Sequence, residues 1–188
     1  MNNITKQDLR NLCRQKRQKL FNDGHIEKIS TEICSKISKS AVYKNAKNIM
    51  LFYPKAAELN VLKLLDIQSE GKNFYLPRCK ENSISVCPYK GCDKLILNNF
   101  NIEEPITEPI SDVEILDIII APALCADKRG NRLGYGKGFY DRFFSNPKLR
   151  AKKIVIIPEI LLFKTIPADI HDKKCNFIVT EKQLLELA

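Results

Sequence analysis

The chain has no tryptophan, two methionines and only two histidines, His25 and His171, which excludes a centre built on several imidazoles. Its longest apolar stretch, Ile115 to Ala126, is broken by Asp117 and Pro122 and falls short of the roughly 20 residues a membrane span needs. No spanning segment is expected. The N-terminus, MNNITKQDLR, lacks the apolar core of a signal peptide, so a cytoplasmic location is expected. Close cysteine pairs are also missing: among seven cysteines the nearest two, Cys87 and Cys92, have four residues between them. A thiolate metal site drawn from Cys79, Cys87 and Cys92 is therefore disfavoured, and reduced thiols acting as small buried hydrophobes are expected.

What the chain does have is an excess of cations. Lys and Arg number 31 against 22 Asp and Glu, a formal charge of +9. Such an excess suits nucleic acid, an anionic membrane surface or a small polyanionic substrate. The lysines are scattered instead of blocked, so a merely solvated basic surface stands beside those readings. With 188 residues, 44% hydrophobic and 28% charged, the composition is that of a globular protein. One domain covering residues 1–188 is expected, large enough to bury its own core.

Thr5 followed by Asp8 is a capping pattern, and Leu9, Leu12, Cys13 and Leu20 recur at helical spacing, which predicts a helix from about Thr5 to Phe21. Asp23-Gly24 ends it. Ile26, Ile29, Ile33 and Ile37 predict a second amphipathic helix. A strand over Asn48–Tyr53, a helix starting near Asn60 and strands at 73–77 and 84–87 follow, then an irregular stretch from about Asn98 to Asp112. Leu116–Ala121 reads as a central strand covered on both faces, with further strands at 153–158 and 176–180 and a short closing helix in EKQLLEL. The alternation predicts an α/β fold with a largely parallel sheet.

Four of the seven glycines, Gly130, Gly134, Gly136 and Gly138, fall within nine residues just after that central strand. Loops at the carboxyl ends of such strands form the ligand crevice of open α/β sheets, and glycines let backbone N–H groups close around a phosphate. The segment is not a Walker A loop, because Gly138 follows Gly136-Lys137 where Ser or Thr is required. Nor is it a dinucleotide fingerprint, since the third glycine position is Phe139. It interleaves Lys128, Arg129, Arg132 and Lys137 and leads to Asp141 at the start of a predicted helix. Cations for phosphate oxygens and a carboxylate for magnesium point to a nucleoside triphosphate loop, with a mobile surface turn as the alternative. On the first helix, Lys6, Arg10, Arg14 and Arg17 form a stripe beside the apolar seam, within reach of a cleft rim, although a solvated helix face would look the same.

GNRLGYGKGFYDR closely resembles the hallmark run of the 5-formyltetrahydrofolate cyclo-ligase family, G-x-R-L-G-x-G-x-G-[YF]-Y-D. KQDLR at 6–10, FYPKAAELN at 52–60, NFYLPR, DIIIAP and IPADIHD are similar to further family segments, so the resemblance spans nearly the whole chain. It implies a single-domain, Rossmann-like three-layer α/β fold with a mostly parallel sheet and helices on both faces. It also implies an ATP- and Mg2+-dependent cyclisation of 5-formyltetrahydrofolate to 5,10-methenyltetrahydrofolate, with ADP and phosphate released after phosphorylation of the formyl oxygen.

Carried over by motif, Lys6 and Arg10 would hold ATP together with Arg132, Leu133, Gly134, Tyr135, Gly136, Lys137, Gly138, Phe139 and Tyr140. Tyr53 and Glu58 would contact the folate, with Tyr135 to Phe139 sharing it, and Glu58 would accept hydrogen bonds from the pterin N–H edge. Arg132, Lys137 and Tyr140 would be catalytic, and Asp141 and Asp172 would bind magnesium. The chain departs from the family where a Val-Asp pair is usual and Cys175-Asn176 stands, and at Phe139, where Tyr is common. The resemblance implies a folate partner, with or without a polyglutamate tail, no nucleic acid, no membrane, and a monomer. The other readings are a kinase or ligase using the same loop on another substrate, and a basic nucleic-acid-binding module.

Overall fold

Side chains along an extended strand point alternately to opposite faces, and here both faces are buried. The computed structural model describes residues 4–67, 69–99 and 101–187. Its helices are α1 (Lys6–Asn22), α2 (His25–Lys39), α3 (Ala41–Asn45) and α4 (Phe139–Phe144). Its strands are β1 (Asn48–Met50), β2 (Asn73–Lys80), β3 (Ser83–Tyr89), β4 (Leu95–Leu97), β5 (Glu103–Pro105), β6 (Ile118–Ala121), β7 (Cys125–Asp127), β8 (Arg132–Leu133), β9 (Lys152–Ile156), β10 (Leu162–Phe163), β11 (Phe177–Val179) and β12 (Leu184–Glu186).

The main sheet has seven strands in the order β12-β11-β9-β6-β1-β2-β3. The five inner strands run parallel, and β12 and β3 are antiparallel edges. Along β6, Ile118 and Ile120 join one apolar cluster while Ile119 and Ala121 join the other. β9 does the same, with Ile154 and Ile156 against Val155. Leu9 and Cys13 of α1 and Phe143 and Phe144 of α4 cover the face of Ile119, Ala121 and Val155. Ile26, Ile29, Ile33 and Ile37 of α2 and Tyr43 of α3 cover the face of Ile118, Ile120, Ile154 and Ile156. Three layers result, with helices on both faces, as the resemblance implied.

Thr5 caps α1 through a capping box with Asp8, and α1 ends at Asp23 before Gly24 turns left-handed at φ +72°. The stretch after Asn60 departs from expectation: Asn60 caps only a five-residue 3-10 turn, Val61–Leu65, whose Val61 and Leu64 plug the α2 face. The predicted closing helix is also overturned. The Thr180 hydroxyl accepts the N–H groups of Lys182 and Gln183, turning the chain so that β12 pairs antiparallel with β11. Pairing with an open sheet edge outweighs the helical propensity of a short Leu- and Glu-rich tail. Within the stretch expected to be irregular, Glu103–Pro105 forms β5 and pairs with β4. The five-residue helix α3 is too short to leave a period in the sequence.

Ile120→Ala, in a strand with no accessible side chain, is expected to cost about 3 kcal/mol in urea unfolding. Ile170→Ala, at 91% exposure, should change stability by less than about 0.5 kcal/mol.

Candidate active site

β1 and β6 lie side by side and parallel, but the chain leaves β1 toward β2 on one side and β6 toward β9 on the other. Connections that diverge in this way leave a crevice at the carboxyl ends of the strands. Phe52 and Tyr53 just past β1 and Pro122 just past β6 line a cleft of about 510 Å³ there. A larger hollow of about 860 Å³ lies around Asn60, Lys72 and Tyr89. Its Lys72 is committed to the carbonyls of Tyr43 and Ala46 and gathers no comparable set of groups.

The glycine-rich segment is anchored from below by Asp127, which is fully buried. Its Oδ1 accepts the N–H groups of Arg129 and Asn131, and its Oδ2 accepts the Asn131 amide and the Ile166 N–H. Gly130 has φ +88°, and a Cβ there would meet the Cys175 carbonyl at 3.0 Å, so the turn requires glycine. Beyond it, β7 and β8 form a short antiparallel ladder that delivers Arg132 and Leu133 to the cleft wall. α1 closes the opposite side, where Arg10 donates from Nε to the Gly134 carbonyl at 3.1 Å.

The residues carried over by the family motifs all line this one cleft: Lys6, Arg10, Tyr53, Glu58, the run Arg132 to Tyr140, Asp141 and Asp172. Of the loop cations read from composition, Lys128 and Arg129 are exposed and lie outside its lining. Arg132 is buried and pairs through Nη2 with Asp141 Oδ1 at 2.7 Å, leaving its Nε without a partner. Its guanidinium also sits 5.1 Å from the Phe144 ring and 5.9 Å from the Tyr140 ring. The Tyr140 hydroxyl is buried without a hydrogen-bond partner among the described residues. Burial, with Cys79 nearby, holds its pKa well above the usual value, so it remains a proton donor. The Tyr135 hydroxyl donates to Glu58 across the cleft, and Glu58 Oε2 accepts the Lys55 N–H at 2.8 Å. A hydrogen bond to Glu103 and burial push the Tyr53 hydroxyl up to about 12.

Lys6 bridges Asp169 at 2.7 Å and Asp172 at 2.5 Å. Burial disfavours both charges of the Lys6–Asp172 pair, but the hydrogen bonds and attraction between them prevail. Lys6 is raised and Asp172 lowered. Among the described residues no group of three or more His, Cys, Asp or Glu side chains could cage a metal ion. Asp141 and Asp172 still suit magnesium, which takes one or two carboxylates and completes its shell with waters and phosphate oxygens.

Sequence reasoning missed Lys55, Cys79, Glu104 and Asp169 as cleft residues. Buried Glu104 accepts the Cys79 N–H at 2.8 Å and the Asn98 amide at 2.6 Å, contacts between segments that no local pattern connects. Asp169 lay in the IPADIHD segment, where its spacing from Asp172 was the available signal. Arg14, part of the cationic stripe on α1, also reaches the cleft. His25 and His171 are exposed and outside its lining. Cys13, Cys34, Cys87, Cys125 and Cys175 are buried as expected, whereas Cys79 is half-buried and Cys92 exposed.

A glycine-rich loop, a stripe of cations and a cleft at the point where two strand connections diverge define an α/β protein built to bind an anionic small molecule. The chain belongs to the 5-formyltetrahydrofolate cyclo-ligase family, whose model it matches over residues 2–181. It is 28% identical over 182 residues to a probable 5-formyltetrahydrofolate cyclo-ligase of Schizosaccharomyces pombe, covering 87% of this chain and 89% of that one. A mouse 5-formyltetrahydrofolate cyclo-ligase is 27% identical, with 95% of each chain covered. Among solved structures, the Aquifex aeolicus 5,10-methenyltetrahydrofolate synthetase superposes with a TM-score of 0.85 at 28% identity, over 98% of this chain and 93% of that one.

Asp127→Asn would set an NH2 group against donors that the carboxylate now accepts, at an expected cost of about 2–3 kcal/mol in denaturant unfolding. The Lys6–Asp172 bridge makes a pH-dependent contribution. Because Asp172 is lowered from 3.8 and Lys6 raised from 10.5, the stability it adds is present between those values. It fades below as Asp172 gains a proton and above as Lys6 loses one. The difference in urea midpoint between the wild type and Asp172→Asn should therefore be largest near neutral pH and shrink toward both extremes.

Proposed function

We propose that this chain uses ATP and Mg2+ to cyclise 5-formyltetrahydrofolate to 5,10-methenyltetrahydrofolate, releasing ADP and phosphate. The observation that carries this reading is the convergence of Lys6, Arg10, Arg132 and Lys137 with the glycine-rich loop on one cleft, in a chain of this family. A formamide oxygen is a poor leaving group. Transfer of the γ-phosphoryl group to it breaks the bond to ADP and makes the formyl carbon electrophilic. The second folate nitrogen then attacks that carbon, loses its proton, and phosphate departs as the ring closes.

Such a reaction needs no covalent protein nucleophile; it needs alignment and stabilisation of negative charge in motion. Lys6 and Arg10, from the first turns of α1, hold phosphate oxygens on one side, and Arg132 and Lys137 hold them on the other. The buried Tyr140 hydroxyl and the Arg132 Nε have no partner among the described residues. An unmet buried donor costs about 1–3 kcal/mol, a cost that a ligand oxygen would remove. Tyr140 therefore donates to the transferring group in this reading. Tyr53, Glu58 and the run Tyr135 to Phe139 receive the folate, with Glu58 accepting from the pterin N–H edge. Asp141 and Asp172 would hold magnesium, which neutralises phosphate charge when bound.

The decisive experiment is absorbance at the methenyltetrahydrofolate band on mixing protein, 5-formyltetrahydrofolate, magnesium and ATP, with a control lacking ATP. An ATP-dependent rise is expected. ADP release without that rise would mean another acceptor, and neither signal would end the reading. Lys137→Ala, at an exposed position, should lower kcat/KM about 100-fold with the unfolding midpoint unchanged. In calorimetry, Asp141→Asn should weaken the magnesium dependence of ATP binding, a readout that needs no turnover.

A further inference from the structure

Arg17 is a buried arginine, 5% exposed, in the fourth turn of α1. None of the ion pairs among the described residues includes it. Its Nη2 donates to the carbonyls of Ala123 at 2.6 Å and Leu124 at 3.4 Å, just past the end of β6. Its Nη1 donates to the Tyr135 hydroxyl at 3.3 Å, and its Nε has no partner. Burying a guanidinium without a carboxylate beside it is costly, so its place calls for an explanation.

The hydrogen-bond chemistry supplies one. A guanidinium can only donate, so the Tyr135 oxygen must accept from Arg17, and its proton must therefore point at Glu58. Glu58 thus receives Tyr135 on Oε1 and the Lys55 N–H on Oε2. Each carboxylate oxygen can accept a second bond, so lone pairs remain for a ligand. The chain Arg17, Tyr135, Glu58 runs from α1 through the glycine-rich loop to the segment after β1, and it starts from backbone carbonyls that cannot move independently of the sheet.

We propose that Arg17 is a positioning residue for the folate half of the cleft. It fixes the direction of the Tyr135 hydroxyl, which in turn holds the Glu58 carboxylate in the orientation that receives the donor edge of the substrate. The proposal rests on the reading of this cleft as a folate site. Arg17 itself touches neither substrate. Its influence reaches Glu58 through Tyr135, whereas the phosphate-holding cations Lys6, Arg10, Arg132 and Lys137 lie outside this chain of contacts.

The test is steady-state kinetics on the intact protein. Arg17→Met, which keeps length and apolar packing, should raise KM for 5-formyltetrahydrofolate about tenfold and leave KM for ATP within about twofold. Tyr135→Phe, at a loop position, should raise KM for 5-formyltetrahydrofolate by a similar factor. If Arg17 acts through Tyr135, the double variant will be no worse than the more affected single one. Arg17→Lys keeps the charge but cannot span the two carbonyls and the phenol at once, so its KM for the folate should lie between those of the wild type and Arg17→Met. It also carries the test if Arg17→Met does not fold. Equal rises in KM for both substrates, or additive effects of the two substitutions, would reduce Arg17 to a packing residue and overturn the proposal. A wild-type protein that makes no methenyl product would instead remove the folate reading beneath it.

Discussion

The seating of α1 across the carboxyl ends of the strands is the constraint on which the cleft depends. Lys6, Arg10, Cys13 and Arg17 follow one another at helical intervals, so one stripe both packs and faces the cleft. Cys13 is fully buried in the same cluster as Cys125 of β7, and Leu9 joins it there. With that seam docked, Arg10 meets the Gly134 carbonyl and Arg17 the Ala123 carbonyl without further adjustment. Rotating the helix by one residue would move these cations away from the loop together. Core packing and cation placement are therefore one decision, made by one helix face.

The charges in the cleft are arranged in local pairs instead of being left to repel one another. Arg132 faces Asp141, and Lys6 faces Asp169 and Asp172. The carboxylates hold the cations in place before any anion arrives, which lowers the ordering cost of binding. In the proposed reading they would also moderate it, because a phosphate would share each cation with its resident carboxylate. Asp141 and Asp172 would hold a divalent ion in that reading, and the ion's charge would relax the competition by engaging the carboxylates. The overall charge of +9 understates this organisation, since what counts is that cations from α1 and from the glycine-rich loop face the same space.

Much of this was legible in the sequence. The layers could be read from Ile26, Ile29, Ile33 and Ile37 and from the unbroken run at Ile118–Ala121, because periodicity records which faces are buried. The glycine-rich loop announced itself through its composition. The edge strand at Leu184–Glu186 was hidden because its conformation is set by β11, not by local preference. Glu104 and Cys79 were hidden for a related reason. They meet through a hydrogen bond between segments 25 residues apart, and neither carries a motif. The buried anchor Asp127 sat in plain view at the start of the loop, but its function is to accept backbone donors, which the sequence does not display.

The two departures from the residues usual in the family acquire structural readings. Asn176 lies outside the cleft, and its Oδ1 accepts the Lys153 N–H at 2.9 Å between β9 and the start of β11. An amide oxygen satisfies that donor as a carboxylate would, so the substitution removes a charge where the hydrogen bond needs none. Cys175 donates from Sγ to the Gly130 carbonyl at 3.2 Å, under the turn that admits no Cβ. Phe139 lacks a phenolic hydroxyl, yet the Arg142 guanidinium lies 5.3 Å from its ring while donating to the carbonyls of Lys137 and Asn82. The end of the loop is thereby tied to the hairpin between β2 and β3 through the arginine and the ring face. These positions shape the scaffold around the loop, while the paired Arg132 and Asp141 that face the cleft match the family run.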